Sequence, residues 1–592
     1  MISIRKFLTA QTDQAVDPRV IFWYSLSLVF AAYYGYLVLQ SSFGAPYVVQ
    51  DDARQHVFWM QRLIDPALLP DDFMADYFAY QATPGYKLLY QGAAALGIHP
   101  FTLNKILPPI LGGLGTHYCF RLSLQLLPVP ATAFTSTLLL NQTLWMRDDL
   151  VSGTPRAFIS VLLLAFLVFV NGRMVAPALV ALTLQVLFYP QGALLAAGIL
   201  VLRLVTVDRG RVRWVRSPQA YLLSGFGLII VIGLLAPYLV DSSPFGPLIT
   251  PAAARQMPEF WPGGRNAYFT DNPILFWFGD RSGLLPTPML TPPTIAFSLF
   301  FPWLWWRSPH RWLPLIKARM AILQQLVLAS LGLYFAAHLL LYQLHLPSRY
   351  MHHSLRIVFA LTASFTMGLF LDYLLQVLAR PAATVIAIAQ RGFAITALCG
   401  VMIGLFGYSS LTQSFPFTNN RYGRLPDLYQ FLQATPLDTT VASLTKETSN
   451  LHVFTQRSPL ISPELGLAYH TGYYQTFRQR AVDLIEAQYS PDLQTLQAFI
   501  QQYGIDYWLI DDQSFSLDYL TQNNWFNQYQ PAAQQAIANL TTFGDKLALI
   551  QAKPQCTVIE TMPQSLSAIA PLGSDEAQAY WLLDASCLRD LS

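Results

Sequence analysis

Over the first 414 residues apolar positions come in long blocks and not with the short periods of a soluble domain. An apolar run of roughly 20 residues spans the hydrocarbon core of a bilayer as a helix. The pattern predicts about ten such segments, at 20–39, 101–127, 131–146, 157–170, 220–240, 288–306, 322–344, 355–375 and 393–411, with a further stretch at 175–204. That stretch is broken at Tyr189 and Pro190, and is read as a hairpin of two short helices, because proline ends a helix at the residue before it. The first run is too long for a cleaved signal peptide and is followed by further spans, so it is expected to be retained.

From residue 415 onward the period shortens. Strand-like runs at 440–444, 506–510, 546–550, 557–560 and 580–583 alternate with helical patterns at 473–488 and 492–503. Such alternation predicts a layered α/β domain with a partly parallel sheet. The fold class expected is therefore a polytopic α-helical membrane protein of about 10–11 membrane segments, residues 1–414, carrying a large first outer loop at 41–100. A C-terminal extracytoplasmic α/β domain follows at 415–592. No glycine-rich phosphate loop opens any helix of the tail.

Composition agrees with the pattern: 53% of residues are hydrophobic and 12% charged, about half the charge of an ordinary soluble domain. A soluble single-core enzyme is excluded. The part before Phe415 carries 27 Lys/Arg against 16 Asp/Glu and the part after it 9 against 17. The basic residues form short clusters between apolar runs, not one stripe, so nucleic acid is not an expected partner. Arg5, Lys6 and Arg19, then Arg203 to Arg216, Arg307 to Arg319, and Arg380 with Arg391 mark cytoplasmic loops and a cytoplasmic N-terminus. Loops 47–87, 147–156, 241–286 and 346–356 and the whole tail then lie outside, together with 12 of the 16 acidic residues of the membrane part.

Four cysteines give no paired metal-ligand spacing. Cys119 and Cys399 fall in apolar runs and read as packing. Cys556 and Cys587 fall in strand-like segments of the tail, where an extracytoplasmic location permits a disulfide.

The outer loops hold the candidate chemistry. On a helix starting near Asp52, the side chains of Asp52, His56 and Trp59 share one face, and Asp51 and Arg54 stand beside them. The rest of that loop, with Asp71, Asp72 and Asp76 and then 77–90, reads as amphipathic helices lying along the interface. A second acidic pair, Asp148 and Asp149, lies at the outer end of the third span between Arg147 and Arg156. Taken singly, either pair is equally a capped helix terminus with ion pairs. Where a later span re-enters from outside, the sequence reads Leu346, Pro347, Ser348, Arg349, Tyr350, Met351, His352, His353. A guanidinium such as Arg349 matches phosphate oxygens with a planar fork of donors, although an arginine there also snorkels to headgroups. The long loop 241–286, with Arg255, Glu259, Trp261 and Arg265, is able to fold over a cleft or to stand as a rigid surface loop. His338, inside a span, reads as a packed, hydrogen-bonded imidazole.

This constellation resembles the GT-C superfamily of polyprenyl-phosphate-sugar-dependent glycosyltransferases, which includes protein O-mannosyltransferases, the aminoarabinose transferases of lipid A and the catalytic subunit of oligosaccharyltransferase. The strings DDARQHVFW and LPSRY, with a tail of this kind, are similar to bacterial membrane proteins of that superfamily. The resemblance implies a multi-pass protein of the bacterial inner (plasma) membrane and a polyprenyl-phosphate-linked sugar donor. It also implies transfer to an extracytoplasmic acceptor, whether glycan, lipid or protein, with inversion at the anomeric carbon. It marks Asp51 and Asp52 as the first acidic site and source of the base, and Asp148 and Asp149 as acceptor-orienting residues or ligands of a divalent cation (Mg or Mn). Arg349 and Tyr350 take the place of the element beside the donor phosphate, with His56, Arg54, Arg255 and Glu259 in support. The tail lacks the WWD-type signature of oligosaccharyltransferase, which argues against transfer of whole glycans to asparagine. Two other classes fit a polytopic chain. One is a transporter, whose ionisable groups would usually lie near the midplane at a repeat interface; the other is a membrane scaffold with a partner-binding outer domain.

Overall fold

The computed structural model describes every residue except 1, 13, 15, 16, 209, 210, 241, 242, 287, 382, 383, 565–576 and 592. Arg209 of the second basic cluster and Asp241 at the head of the long loop therefore lie outside the described residues.

Helices dominate up to about residue 411. Among the described residues five are long and apolar enough to cross a membrane: Pro18–Ser42, Pro218–Tyr238, Ala321–Leu339, Ser348–Ala379 and Val385–Phe406. The other apolar runs give shorter or interrupted helices. Pro100–Leu126 carries Pro108 and Pro109 in its interior. Val175–Phe188 and Pro190–Arg203, of 14 residues each, meet at Tyr189. Each is about 21 Å long, against a hydrocarbon core of about 30 Å. The two-helix hairpin expected from Pro190 is present. The run at 288–306 is not one α-helix: a 3-10 stretch, Pro293–Phe300, precedes the short helix Phe301–Arg307. Prolines at 286, 288, 292, 293 and 302 remove donors and clash with preceding carbonyls, which a continuous helix there would not survive.

The tail builds a five-stranded sheet in the order Ser458–Pro459, Thr440–Ala442, Tyr507–Asp511, Tyr580–Asp584, Thr557–Thr561. The first three strands run parallel and the last two pair antiparallel, the mixed layering expected. The run at 546–550 is not a strand; it ends the 3-10 turn Gly544–Lys546 and enters the helix Ala548–Cys556. A five-residue apolar run does not separate the two by period alone. Cys556 ends that helix and Cys587 lies in the helix Ala585–Asp590, so both cysteines are helical and not in strands; they are joined in a disulfide.

The tail docks on the segment 41–100. Strand Val48–Gln50 pairs antiparallel with Asn420–Tyr422. Asp72, buried, caps helix Phe73–Gln81 through Met74 N and Ala75 N at 2.9 Å each, and its other oxygen accepts from His452 Nε2 at 2.7 Å. Tyr77 stacks on Tyr473 with ring centres 3.7 Å apart. The first loop thus forms two helices, Phe73–Gln81 and Pro84–Ala95, but Asp72 serves the tail and not the water.

Candidate functional site

Directly after strand Val48–Gln50, the chain turns through Asp51 and Asp52 into one helical turn, Ala53–His56. Asp52 occupies the N-cap position without using its side chain as a cap, so its carboxylate is available to reach elsewhere. The helical turn stops at Val57 and a 3-10 stretch, Phe58–Leu63, follows. Trp59 therefore does not extend a common α-helical face with Asp52 and His56, as the sequence pattern suggested. Its ring lies under Lys87, 5.9 Å from Nζ.

The second pair rests on a turn whose shape is dictated by Gly153. Its φ is +59°, and a Cβ there would stand 2.7 Å from Asn104, so neither the left-handed backbone nor the space admits a side chain. Asn104 Nδ2 donates to Ser152 O at 2.7 Å and the Tyr86 hydroxyl to Gly153 O at 3.0 Å. The turn presents Asp148 and Asp149 on one side and Arg156, in the 3-10 turn Pro155–Ala157, on the other.

These segments converge. Arg156 ties three carboxylates: Nη2 bonds Asp52 Oδ2 and lies 3.2 Å from Asp148 Oδ2, and Nε lies 3.0 Å from Asp149 Oδ1. Arg356, buried in helix Ser348–Ala379, donates Nη1 to the other oxygen of Asp149. Asp149 is buried, which favours protonation, yet the charges of Arg356 and Arg156, with Arg349 and His353 nearby, hold its carboxyl well below the usual range.

Asp51 turns the other way. Its oxygens accept from Arg54 Nη2, from Asn419 Nδ2 at 3.1 Å and from Arg421 Nε and Nη2 at 3.0 and 3.1 Å. Burial raises its pKa, but the two arginines outweigh it and the value falls to about 2. Arg54 continues the network into the tail, to Asn450 Oδ1 at 3.1 Å and to Glu464 at 3.4 Å. Glu464 also accepts from Gln55 and, at 2.5 Å, from Arg265 Nη2. Burial, with Asp51 and Asp52 close by, pushes the Glu464 pKa up against the pull of Arg265 and Arg54.

Further arginines, with neutral histidines among them, lie near the carboxylates. Arg281 is in electrostatic contact with Arg349, Arg265 and Arg156, and its own guanidinium pKa is depressed by burial and by these neighbours. The pKa of His345, half-buried beside Arg349, Arg281 and Arg156, falls to about 3 through desolvation and these charges, and that of His56, half-buried beside Arg156 and Arg265, to about 4. Arg349 opens helix Ser348–Ala379, and its Nε is buried with no hydrogen-bond partner among the described residues. Arg147 Nη2, His352 Nε2 and both ring nitrogens of His353 are buried and unpartnered in the same way. Arg147 and Arg356 also line a small cavity closed by Pro286, Pro288 and Phe359. Buried polar atoms without partners cost free energy, and several of them, both donors and acceptors, gather here.

Not every expected residue joins. Tyr350 is fully buried and its hydroxyl donates to Leu344 O at 2.8 Å, leaving none for a ligand. Arg255 is exposed, its guanidinium 5.1 Å over Phe269. Glu259 is buried and accepts from the Tyr474 hydroxyl at 2.5 Å, joining the long loop to the tail. His338 bridges Tyr268 and Ser282 O, the packed imidazole expected. Arg281 comes from the loop 241–286 that the sequence offered as a cover for the cleft; the residues that sequence reasoning missed are Arg356, Arg421 and Glu464. Each is a lone charge in an ordinary stretch, and only the isolation of Arg356 in an apolar run was a signal.

No family model matches the sequence, and no curated protein matches it. Solved structures resemble the fold. The Archaeoglobus fulgidus oligosaccharyltransferase AglB, in complex with an inhibitory peptide and a dolichol-phosphate, superposes with a TM-score of 0.52 at 13% identity over 87% of this chain and 72% of that one. The same archaeal enzyme tethered to an acceptor peptide with an NVT sequon gives 0.51 at 12% identity over the same shares. A mutant of the arabinofuranosyltransferase AftD from Mycobacteria gives 0.50 at 13% identity, over 97% of this chain and 42% of the larger protein.

Proposed function

We propose that this chain, whose fold is GT-C-like, is a membrane glycosyltransferase. In this reading it moves a sugar from a polyprenyl-phosphate donor to an acceptor on the outer side of the membrane. The observation that carries the reading is the convergence of Asp52, Asp148 and Asp149 on Arg156, with the half-buried Arg349 and Arg281 close by. A carboxylate facing unpaired guanidinium is what transfer from a lipid phosphate needs. The neighbour solved with dolichol-phosphate makes a lipid-linked donor the natural choice.

Asp52 is the base in this mechanism. Asp51 is saturated by four donated hydrogen bonds, whereas Asp52 is held through one oxygen by Arg156 and its side chain is 25% exposed. Its free oxygen takes the proton of the acceptor hydroxyl as that hydroxyl attacks the anomeric carbon from the face opposite the phosphate, inverting the configuration. The electron pair of the broken carbon–oxygen bond stays on the lipid phosphate, whose growing charge Arg349 and Arg281 stabilise. A positioned base supplies about 10²–10⁴-fold, so orientation and charge stabilisation supply the rest.

The test uses full-length protein in nanodiscs with radiolabelled polyprenyl-phosphate sugars and a panel of envelope acceptors. Asp52→Asn is expected to lower transfer at least about 10²-fold with an unchanged melting temperature, while Asp51→Asn acts through stability. Transfer by folded Asp52→Asn at the parental rate refutes the assignment of the base.

A further inference from the structure

We propose that Arg156 is a built-in cation that stands where a divalent metal would otherwise sit among Asp52, Asp148 and Asp149. The GT-C resemblance offered these aspartates as ligands for Mg or Mn, and the geometry does not fit one. Each carboxylate already turns an oxygen onto Arg156, two of them at 3.0 and 3.2 Å. Hard cations take six or more oxygens at about 2.0–2.6 Å. An ion placed between these oxygens would press against guanidinium nitrogens, which carry no lone pair to offer it. Asp149 spends its second oxygen on Arg356. Among the described residues no group of three Asp, Glu, His or Cys side chains is arranged to hold a metal ion.

Charge gives the same answer. Three carboxylates against Arg156 and Arg356 leave one net negative charge, and a divalent ion would overshoot it with Arg349 close by. Without Arg156 the cluster would hold two uncompensated negative charges, the amount a divalent ion neutralises. The local backbone holds the guanidinium in place. Pro155 starts the turn, Ala157 N donates to Thr154 O at 2.9 Å, and Asn104, packed 2.7 Å from where a Gly153 Cβ would stand, bonds Ser152 O. Arg156 is thus a positioning residue. It orients Asp52 through one oxygen and leaves the other free, with no metal needed to keep like charges together.

The inference concerns the carboxylates of the proposed transfer, but its test reads metal binding, so either can fail alone. Full-length protein, stripped with EDTA and held in nanodiscs, is titrated with Mn²⁺ by electron paramagnetic resonance while its melting temperature is followed. The parent is expected to bind no Mn²⁺ at the cluster and to melt identically with EDTA or Mn²⁺. Arg156→Met is expected to bind one Mn²⁺ at least about tenfold more tightly and to melt higher with it. Arg156→Lys, which keeps the charge, is expected to gain nothing. Stoichiometric Mn²⁺ on the parent that Asp149→Asn abolishes overturns the proposal, and so does a folded Arg156→Met with no gain. If Arg156→Met does not fold, the parent titration decides.

Discussion

Removing the Asp72 carboxylate tests how the tail is held on the membrane part. Asp72 and His452 meet at 2.7 Å with side chains 1% and 2% exposed; burial raises the Asp72 pKa, but the charge and hydrogen bond of His452, with the hydrogen bond from Ala75 N, outweigh it and lower the value from 3.8 to about 2. The native environment thus favours the carboxylate by nearly two pKa units, about 2–3 kcal/mol. Asp72→Asn keeps the helix cap, since Asn caps as well as Asp, and is expected to cost about that amount. Asp72→Ala also forfeits the cap, about 1 kcal/mol more. The sign with pH follows from a depressed carboxylate: the contribution is complete above about pH 4 and lost as pH falls toward 2. Pulse proteolysis in urea reads the midpoint at which the tail becomes cleavable. With a slope of about 1–3 kcal/mol per molar urea, the midpoint should drop by about 1 M or more for both variants, further for Ala. It should fall further between pH 4 and 2 in the parent than in Asp72→Asn, where Asp51 still titrates against Arg421 of the tail. Unshifted midpoints, or a parent and Asp72→Asn that respond alike to acid, refute the coupling of this carboxylate to docking.

Arg349→Ala is expected to raise the KM for the lipid-linked donor about 10- to 100-fold, the loss of one charge-assisted contact, with little change in acceptor KM in the same transfer assay. Glu464→Ala removes the oxygens that Gln55, Arg54 and Arg265 bond and should lower the urea midpoint of the tail by the equivalent of about 1–3 kcal/mol; an unchanged midpoint would show that this bridge does not hold the tail. Reducing Cys556–Cys587, which closes a 31-residue separation, should destabilise the tail by about 3–4 kcal/mol on the chain-entropy account, read as a lower melting temperature in dithiothreitol and none in the double Cys→Ala variant.

Much of the fold was legible because it is local. Block hydropathy located most of the apolar helices, Pro190 split the hairpin, and period-2 runs located four of the five strand-like segments beyond residue 415 that form the sheet. Where local signals were ambiguous the readings erred: 546–550 is helical, and 288–306 is broken by its prolines. The amphipathic reading of 71–90 found the helices but not their neighbours, since Asp72 looks the same in a sequence whether it meets water or His452.

The sequence by itself determined the solvent of the first 414 residues, the α/β character of the tail and the presence of two acidic pairs, because composition and periodicity are properties of short stretches. Tertiary structure alone decided what those acids do. Asp51 and Asp52, adjacent in the chain, part company: one is bound by Arg421 of the tail, the other by Arg156. Partners 104 to 370 residues away are chosen by the path of the backbone. Whether a carboxylate caps a helix or pairs with an arginine depends on the groups that path brings within about 3 Å, where Coulomb attraction is stronger than at an exposed surface.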